Sequence, residues 1–462
     1  MGEPEDYDAL LDEVTGLVER PTVYVGKFDA EFLEVPAECL VLTMKLNQKY
    51  FPLFLSEGGL SSRFLIVSNM RLDNPQNVIE GNERVVRPRL SDARFFFETD
   101  KKTKLVDRVP KLANVVYHNK LGTQGERVER VRKIATSVAT MIGTDAGLAG
   151  RAALLAKTDL ATDMVGEFPE LQGVMGRYYA LHDGESEIVA NAIAQHYQPR
   201  FAGDKLPDSP VALSVALADK LETLVGLFGI GQLPTGDKDP FALRRHALGV
   251  TRMLVEKQLA INLDELLKLA HGVFPAMLLK EAHDVQGIFF PNWMMVRHFI
   301  DERAKGYLRD LGYTSNEVNA VVDLGAAPYE YVGRLTAVRN FLLLPEALEL
   351  SASDKRIRNI LQKSGAMSEV EVTDENKLQE AAERSLFVAV RLLRPLVDAQ
   401  IVKSDFSNAL LLVAQISPRV SEFFQAVMVN VEDEAIRTNR FRLLHEVGNL
   451  TNRVADLSKL AA

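Results

Sequence analysis

The sequence predicts a mainly α-helical, multidomain protein with a mixed α/β segment confined to its N-terminal end. Three observations predict it. At 462 residues the chain exceeds one ordinary domain and fits three or four. From about residue 110 onward, apolar residues recur every three or four positions, the spacing of an amphipathic helix. Alternating β-branched and aromatic runs bounded by turn residues occur only before residue 100.

Residues 1–110 read as a fragment of a larger α/β region. Leu10, Leu11, Val14, Leu17 and Val18 recur at helical spacing, and Pro21 closes that helix. Thr22 to Val25 reads as a strand. Tyr50 to Leu55 and Arg63 to Ser68 flank Glu57-Gly58-Gly59, a turn tolerant of positive φ, so they form a hairpin. These strands are too few to close a sheet. In a second unit, 111–257, the spacing predicts helices over 126–143, 146–165, 186–197, 209–228 and 239–257. Gly229-Ile230-Gly231 and Leu233-Pro234-Thr235-Gly236 separate the last two. Residues 258–375 form a helical connecting region, and the polar, acidic stretch from Ser364 to Glu375 is the linker candidate. A final helical unit, 376–462, is interrupted at Pro418.

Composition narrows the function classes. Cys39 is the only cysteine, which excludes an intrachain disulfide and a cysteine-rich zinc site. No apolar run approaches the roughly 20 residues of a membrane span, so no membrane role is expected. Met1 to Asp6 is acidic and lacks the features of a signal peptide, so the cytoplasm is the expected compartment. The net charge of −9 disfavours a non-specific coat on a polyanion. An RNA would have to be gripped through local basic patches.

Five constellations bear on chemistry. On a helix Asp159, Asp163 and Glu167, spaced by four, stack on one face, with His196 and Asp219 downstream. Helix-borne carboxylates with a histidine are what a metal-dependent phosphohydrolase needs. The order resembles the HD superfamily, whose pattern is a histidine, a His-Asp pair and a final aspartate. Thr158 stands where the histidine of the pair belongs, and no histidine lies between Glu126 and Gly143. The centre therefore reads as a retired HD scaffold, with Asp159 and Asp219 as capping or ion-paired residues. An active HD-type phosphohydrolase acting on nucleotides or RNA ends is the alternative.

The second constellation is basic. Arg84 to Lys111 holds nine Lys/Arg against four Asp/Glu. Arg87 and Arg89 flank Pro88, which is expected to force an extended segment that projects both the same way. With Arg84 they suit phosphate contacts, or pair with acidic helices of this or another subunit. Third, Lys45 and Lys49 flank two amides ahead of Tyr50-Phe51, either an RNA-facing surface or a plain helix-to-strand junction. Fourth, Asp239 is placed as an N-cap with Pro240 at the first helical position, and Arg244 and Arg245 lie one turn inside, for interdomain or interface salt bridges. Fifth, Arg437, Asn439, Arg440 and Arg442 lie on one terminal helix with Leu443, Leu444 and Val447 facing inward. That arrangement fits a reader of single-stranded RNA or a solvated face.

Taken in order, the motifs are more specific than any one alone. Met-Lys-x-x-Gln-Lys-Tyr-Phe (44–51), Gly-Asn-Glu-Arg-Val-Val-Arg-Pro-Arg-Leu (81–90) and Asp-Met-Val-Gly-Glu-Phe-Pro-Glu-Leu-Gln-Gly (163–173) come first. Tyr197 to Asp204 and Gly-Asp-Lys-Asp-Pro-Phe-Ala-Leu-Arg-Arg (236–245) follow. The set resembles the β subunit of bacterial heterotetrameric glycyl-tRNA synthetase over nearly the whole chain. Phe-Phe-x-x-Val-Met-Val (423–429) and Arg-x-Asn-Arg (437–440) resemble the helical anticodon-binding domain shared with arginyl-tRNA synthetases. The resemblance implies a tRNA-holding, anticodon-reading subunit without a catalytic site or bound cofactor of its own. The α subunit would use ATP and Mg to attach glycine to its tRNA, in an assembly of two α and two β subunits. Members of the family carry a further N-terminal region, so the chain is expected to start midway.

Overall fold

The first helix, α1 (Asp8–Leu17), stops short of Pro21, and β1 (Thr22–Lys27) follows it. This computed structural model describes residues 7–276, 278–279, 282–283, 289–364 and 372–461. Met1 to Asp6 and the centre of the expected linker, 365–371, lie outside the described residues. The hairpin forms as predicted, with β2 (Phe51–Phe54) and β3 (Leu60–Ser68) antiparallel. β3 also pairs with β1, giving the order β1-β3-β2 and setting Gly26 opposite Phe64. A Cβ at Gly26 would lie 2.7 Å from the Phe64 ring, so only glycine fits beneath that side chain. Helix α2 (Ala37–Gln48) packs against β2 and against the long helix α3 (Gln76–Asp100).

Helix α3 corrects one expectation. Its 25 residues run unbroken through Pro88, so the Arg87-Pro88-Arg89 segment is helical, not extended. Proline removes a single N–H, and it sits on the exposed side of a helix whose Val86, Leu90, Ala93 and Phe97 are buried. Burial of that stripe outweighs the local penalty.

The chain divides into two compact units, residues 1–199 with 205–222, and residues 200–204 with 223–462. In the first unit, α4 (Leu105–Arg108) leads to a short hairpin, β4 (Val116–His118) and β5 (Gly122–Thr123). Helix α5 (Gln124–Met141) opens with a capping box between Thr123 and Glu126, and packs against α6 (Ala146–Leu155). The predicted helix over 146–165 ends at Leu155. A 3₁₀ turn over Thr158–Ala161 and the short α7 (Asp163–Glu167) replace its second half. Side chains cause the break: Thr158 Oγ1 donates to Leu155 O, and Thr162 Oγ1 donates to Asp159 O while accepting from Val165 N. Such local bonds offer the backbone an alternative to the helical ladder. Helices α8 (Val174–His182), α9 (Glu187–Gln195) and α10 (Pro210–Gly229) follow. Every residue of α10 from Val211 to Glu222 is buried, Asp219, Lys220 and Glu222 included.

Among its described residues the second unit is helical apart from one two-residue strand pair. Helices α11 (Leu243–Glu256), α12 (Leu263–Gly272), α13 (Asn292–Asp310) and α14 (Ser315–Val322) come first. Helices α15 (Tyr331–Leu342), α16 (Ala347–Ser364), α17 (Ala381–Val402) and α18 (Phe406–Ala414) follow, then α19 (Ser417–Ala426) and α20 (Glu434–Thr451). One core runs through α14 to α20, from Val318 and Tyr331 through Leu386 and Phe423 to Leu443, Leu444 and Val447. Pro418 lies in the first turn of α19 and starts that helix. Among the described residues no helix is long and apolar enough to cross a membrane.

Candidate nucleic-acid interface and a buried charge centre

Helix α10 carries Asp219 and Glu222 one turn apart, and α5 carries Arg127 and Arg130 at the same spacing. The doublets meet face to face. Arg127 reaches Asp219 Oδ1 and Glu222 Oε2, each at 3.0 Å, and Arg130 reaches Glu222 Oε1 at 2.8 Å. Lys157, just ahead of Thr158, places its Nζ 3.2 Å from Asp219 Oδ1 and 3.8 Å from the centroid of the Tyr197 ring. That ring lies 3.9 Å from the imidazole of His196. All of these charged groups are buried, as are His196 and Asp159.

Burial and mutual charge set their ionisation. Burial alone would raise Asp219, but Arg127 and Lys157 hold its carboxyl well below the usual range. Burial lowers Lys157 to about 8, with Asp219 opposing that shift and Arg127 adding to it. Burial, helped by the Lys157 charge, pushes His196 well below its ordinary value, so its ring is neutral at neutral pH. Asp159 is raised to about 6 by burial, against hydrogen bonds from Gly173 N and Gly176 N at 2.5 and 3.1 Å.

The expected stack of Asp159, Asp163 and Glu167 does not exist. Asp159 points inward from the 3₁₀ turn, whereas Asp163 and Glu167 are exposed at the two ends of α7. Among the described residues no group of three or more His, Cys, Asp or Glu is arranged to hold a metal ion. The acidic residue that would ligate, Asp219, is already bound by a guanidinium and an ammonium, which argues against the phosphohydrolase alternative. Arg127, Lys157 and Glu222 are missing from the sequence reading. Spacing could have marked Arg127/Arg130 and Asp219/Glu222 as i,i+3 doublets of opposite sign, but neither their pairing across 92 positions nor Lys157 leaves a local trace.

The N-terminal basic patch is mixed in sign. Arg84, Arg87 and Arg89 are exposed, but on a helix Arg89 lies about 200° around the axis from Arg87, so the two do not project together. Arg87 pairs with Asp29 at 3.1 Å, and Arg94 with Glu31 at 2.9 Å. Lys45 stands 5.1 Å from the centroid of Tyr7, and Lys49 pairs with Glu13 at 2.9 Å. Tyr50 is buried against Phe64, and Phe51 rests against Tyr7, so this aromatic pair offers no open stacking surface.

Asp239 caps α11 from a distance. Its carboxylate accepts from Leu243 N at 2.8 Å and Arg244 N at 2.9 Å, and the helix begins at Leu243, leaving Pro240 outside it. Arg244 turns back to donate to Gly236 O, and Arg245 is exposed.

The terminal helix corrects the RNA-reader assignment of Asn439 and Arg440. Both are buried. Arg440 donates to Glu383 and, at 2.7 Å, to Met428 O. Asn439 clamps Asp374, accepting its N–H at 2.8 Å and donating to its carbonyl at 3.0 Å. With their polar groups spent inside the domain, neither meets a base. Arg437 donates to Val431 O, and Arg442 is half-buried. Outward cations lie on α16, at Lys355, Arg356 and Lys363, and on α17, where Arg391 and Arg394 have no carboxylate partner among the described residues.

The family model of the glycyl-tRNA synthetase beta subunit matches residues 1–323. The chain belongs to that family. A second model, the DALR anticodon binding domain, matches residues 350–457, which span α17 and α20. The glycine–tRNA ligase beta subunit of Thiobacillus denitrificans is 55% identical over 99% of this chain and 64% of its own length. Those of Ralstonia nicotianae and a Janthinobacterium species are each 54% identical, over 98% and 99% of this chain. The chain thus spans about 64% of the length of these curated relatives. Within the family match, the sealed centre of Asp219 and Arg127 is a structural core. Within the DALR match, Arg391 and Arg394 of α17 are exposed.

Proposed function

We propose that this chain is the non-catalytic, tRNA-binding subunit of a glycine–tRNA ligase, which reads the anticodon while an α subunit attaches glycine with ATP and Mg. The supporting observation is the union, in one chain, of a beta-subunit match over 1–323 and an anticodon binding domain match over 350–457. The four segments read from the sequence divide this work: 1–110 and 111–257 support docking, 258–375 connects, and 376–462 meets the anticodon loop. Its partners are the glycine tRNA and the α subunit, in an assembly with two copies of each, and it works in the cytoplasm.

The test has two arms. The 462-residue chain is titrated with a glycine-tRNA transcript and a non-cognate transcript at fixed salt, because affinities without a stated salt carry no meaning. It is then mixed with the α subunit, and glycyl-adenylate formation and tRNA glycylation are followed separately. Binding that prefers the cognate transcript, with the α subunit co-purifying, supports the reading. Absence of tRNA binding even at low salt, or stoichiometric Mn, Fe or Zn in protein purified without chelator, overturns it.

A further inference from the structure

The three-stranded sheet has two edges, and they differ. At one edge β2 is four residues long, holds Pro52, and slips register between Pro52 and Phe54. Proline and a bulge are devices that keep an edge from recruiting another strand. The β1 edge carries neither. Phe28 N donates to Ser62 O in step with the β1–β3 register, so Thr22, Tyr24 and Gly26 turn their backbone groups toward β3. Val23, Val25 and Lys27 turn theirs outward. Glu83 Oε1 takes Lys27 N at 2.9 Å, which closes one end. The N–H and C=O groups of Val23 and Val25 have no partner among the described residues.

We propose that the β1 edge takes a further β-strand, supplied by the part of the family's longer chains that these 462 residues do not span. Its apolar side chains would lie beside Val23 and Val25, and a carboxylate beside Lys27.

Side chains at this edge define that strand. Val23 and Val25 point to the face opposite Phe64 and Ile66, and they are 56% and 51% exposed. Exposed β-branched residues at alternate positions match a neighbour whose own alternate residues are apolar. The buried stripe of α1, Leu10 and Val14, runs on to Leu17, which is 66% exposed. Apolar surface is thus left over on the strand and on the helix that leads into it. Charge sets the partner's sign at the far end. Lys27 lies directly across from Arg63, both are exposed, and neither has a carboxylate partner among the described residues. Like charges at opposed positions destabilise a strand pair, and a carboxylate on an added strand relieves that repulsion. Main-chain bonds along the edge with alternate side chains in register is the usual geometry of strand addition.

The match covers 64% of the Thiobacillus denitrificans subunit, so the remainder of that chain is long enough to bring such a strand. Held in one polypeptide, it meets the edge at a high effective concentration that a second copy of this chain lacks.

Hydrogen exchange tests the edge. The amides of Val23 and Val25 are followed in the 462-residue chain and in a chimera that joins it, in the relative's order, to that remainder. The full-length relative is measured alongside at the strand aligned with β1, so the result does not depend on the chimera folding. Both amides should exchange rapidly in the 462-residue chain and be slowed about hundredfold or more in the longer chains. Val25→Pro removes an outward N–H, so it should move the denaturant midpoint of the 462-residue chain little and lower that of the chimera clearly. Rapid exchange in the full-length relative, or slow exchange in the 462-residue monomer, overturns the proposal. So does a dimer of the 462-residue chain in sedimentation that protects the same amides, which would make a second copy the occupant. The tRNA-binding reading stands in every case.

Discussion

Lys157 and Arg127 hold the same carboxylate, yet their substitutions should have opposite consequences. Arg127 spans Asp219 and Glu222, so Arg127→Met leaves two buried carboxylates short of a partner and should cost about 3–5 kcal/mol. Burial lowers the Lys157 ammonium to about 8, a sign that its site disfavours the charge, so Lys157→Met should be neutral or stabilising. Denaturant unfolding at pH 7 reads both, and equal losses would refute this account. Asp159 supplies a pH test. Its carboxyl stands near 6 when folded against 3.8 ordinarily, raised by burial. Between those values the folded chain binds more protons than the unfolded one, so this group's contribution to stability falls as pH rises. Asp159→Asn should therefore gain on the parent by up to roughly 3 kcal/mol between pH 4 and pH 6.5. A difference that stays flat with pH would rule out the buried carboxyl as its source. Asp159, His196 and Asp219 were legible as an unusual set in the sequence. Their counter-charges were not, because Arg127 meets Asp219 across 92 positions and local spacing carries no record of that pairing.

Secondary structure was legible wherever an apolar stripe or a turn left a local trace. The Gly58-Gly59 hairpin and helices α5, α9 and α10 follow the predicted spans within about two residues. The misses come from competition that periodicity does not register. Thr158 and Thr162 divert backbone groups and stop α6 early, and the buried stripe of α3 carries the helix through Pro88. Pro88→Ala should restore one hydrogen bond to an exposed turn and raise stability by roughly 1–3 kcal/mol, seen as a higher denaturant midpoint with unchanged slope. A lower midpoint would mean that the ring itself makes a contact the helix needs. The same helix limits what its arginines offer to RNA. Arg87 is partnered by Asp29, and Arg89 faces away from it, so Arg84→Ala with Arg87→Ala should shift the salt slope of tRNA binding by less than about 1. A larger shift would return this patch to the RNA interface.

At the scale of the molecule, charge is apportioned between interior and surface. Among the described residues, seven Lys/Arg and eight Asp/Glu are buried, which nearly cancels. Most of the net −9 is therefore carried outside, where it repels a polyanion. Only local concentrations such as Arg391 and Arg394 oppose it. Long mixed-sequence DNA should compete poorly for the tRNA surface at physiological salt, and efficient competition in an anisotropy assay would contradict that balance. The interior half of this arrangement also bears on what the fold can become. Asp219 is sequestered by Arg127 and Lys157, so opening it to a divalent ion requires clearing two cations and installing imidazoles at 158 and on α5. Clearing Arg127, the step on which the others depend, strands Asp219 and Glu222 in the core. Accumulated single mutations therefore meet instability before they meet a metal, and a saturation library should yield no single-substitution metal binder. The chain's mutational neighbourhood is closed to that chemistry, whatever the history that led to it.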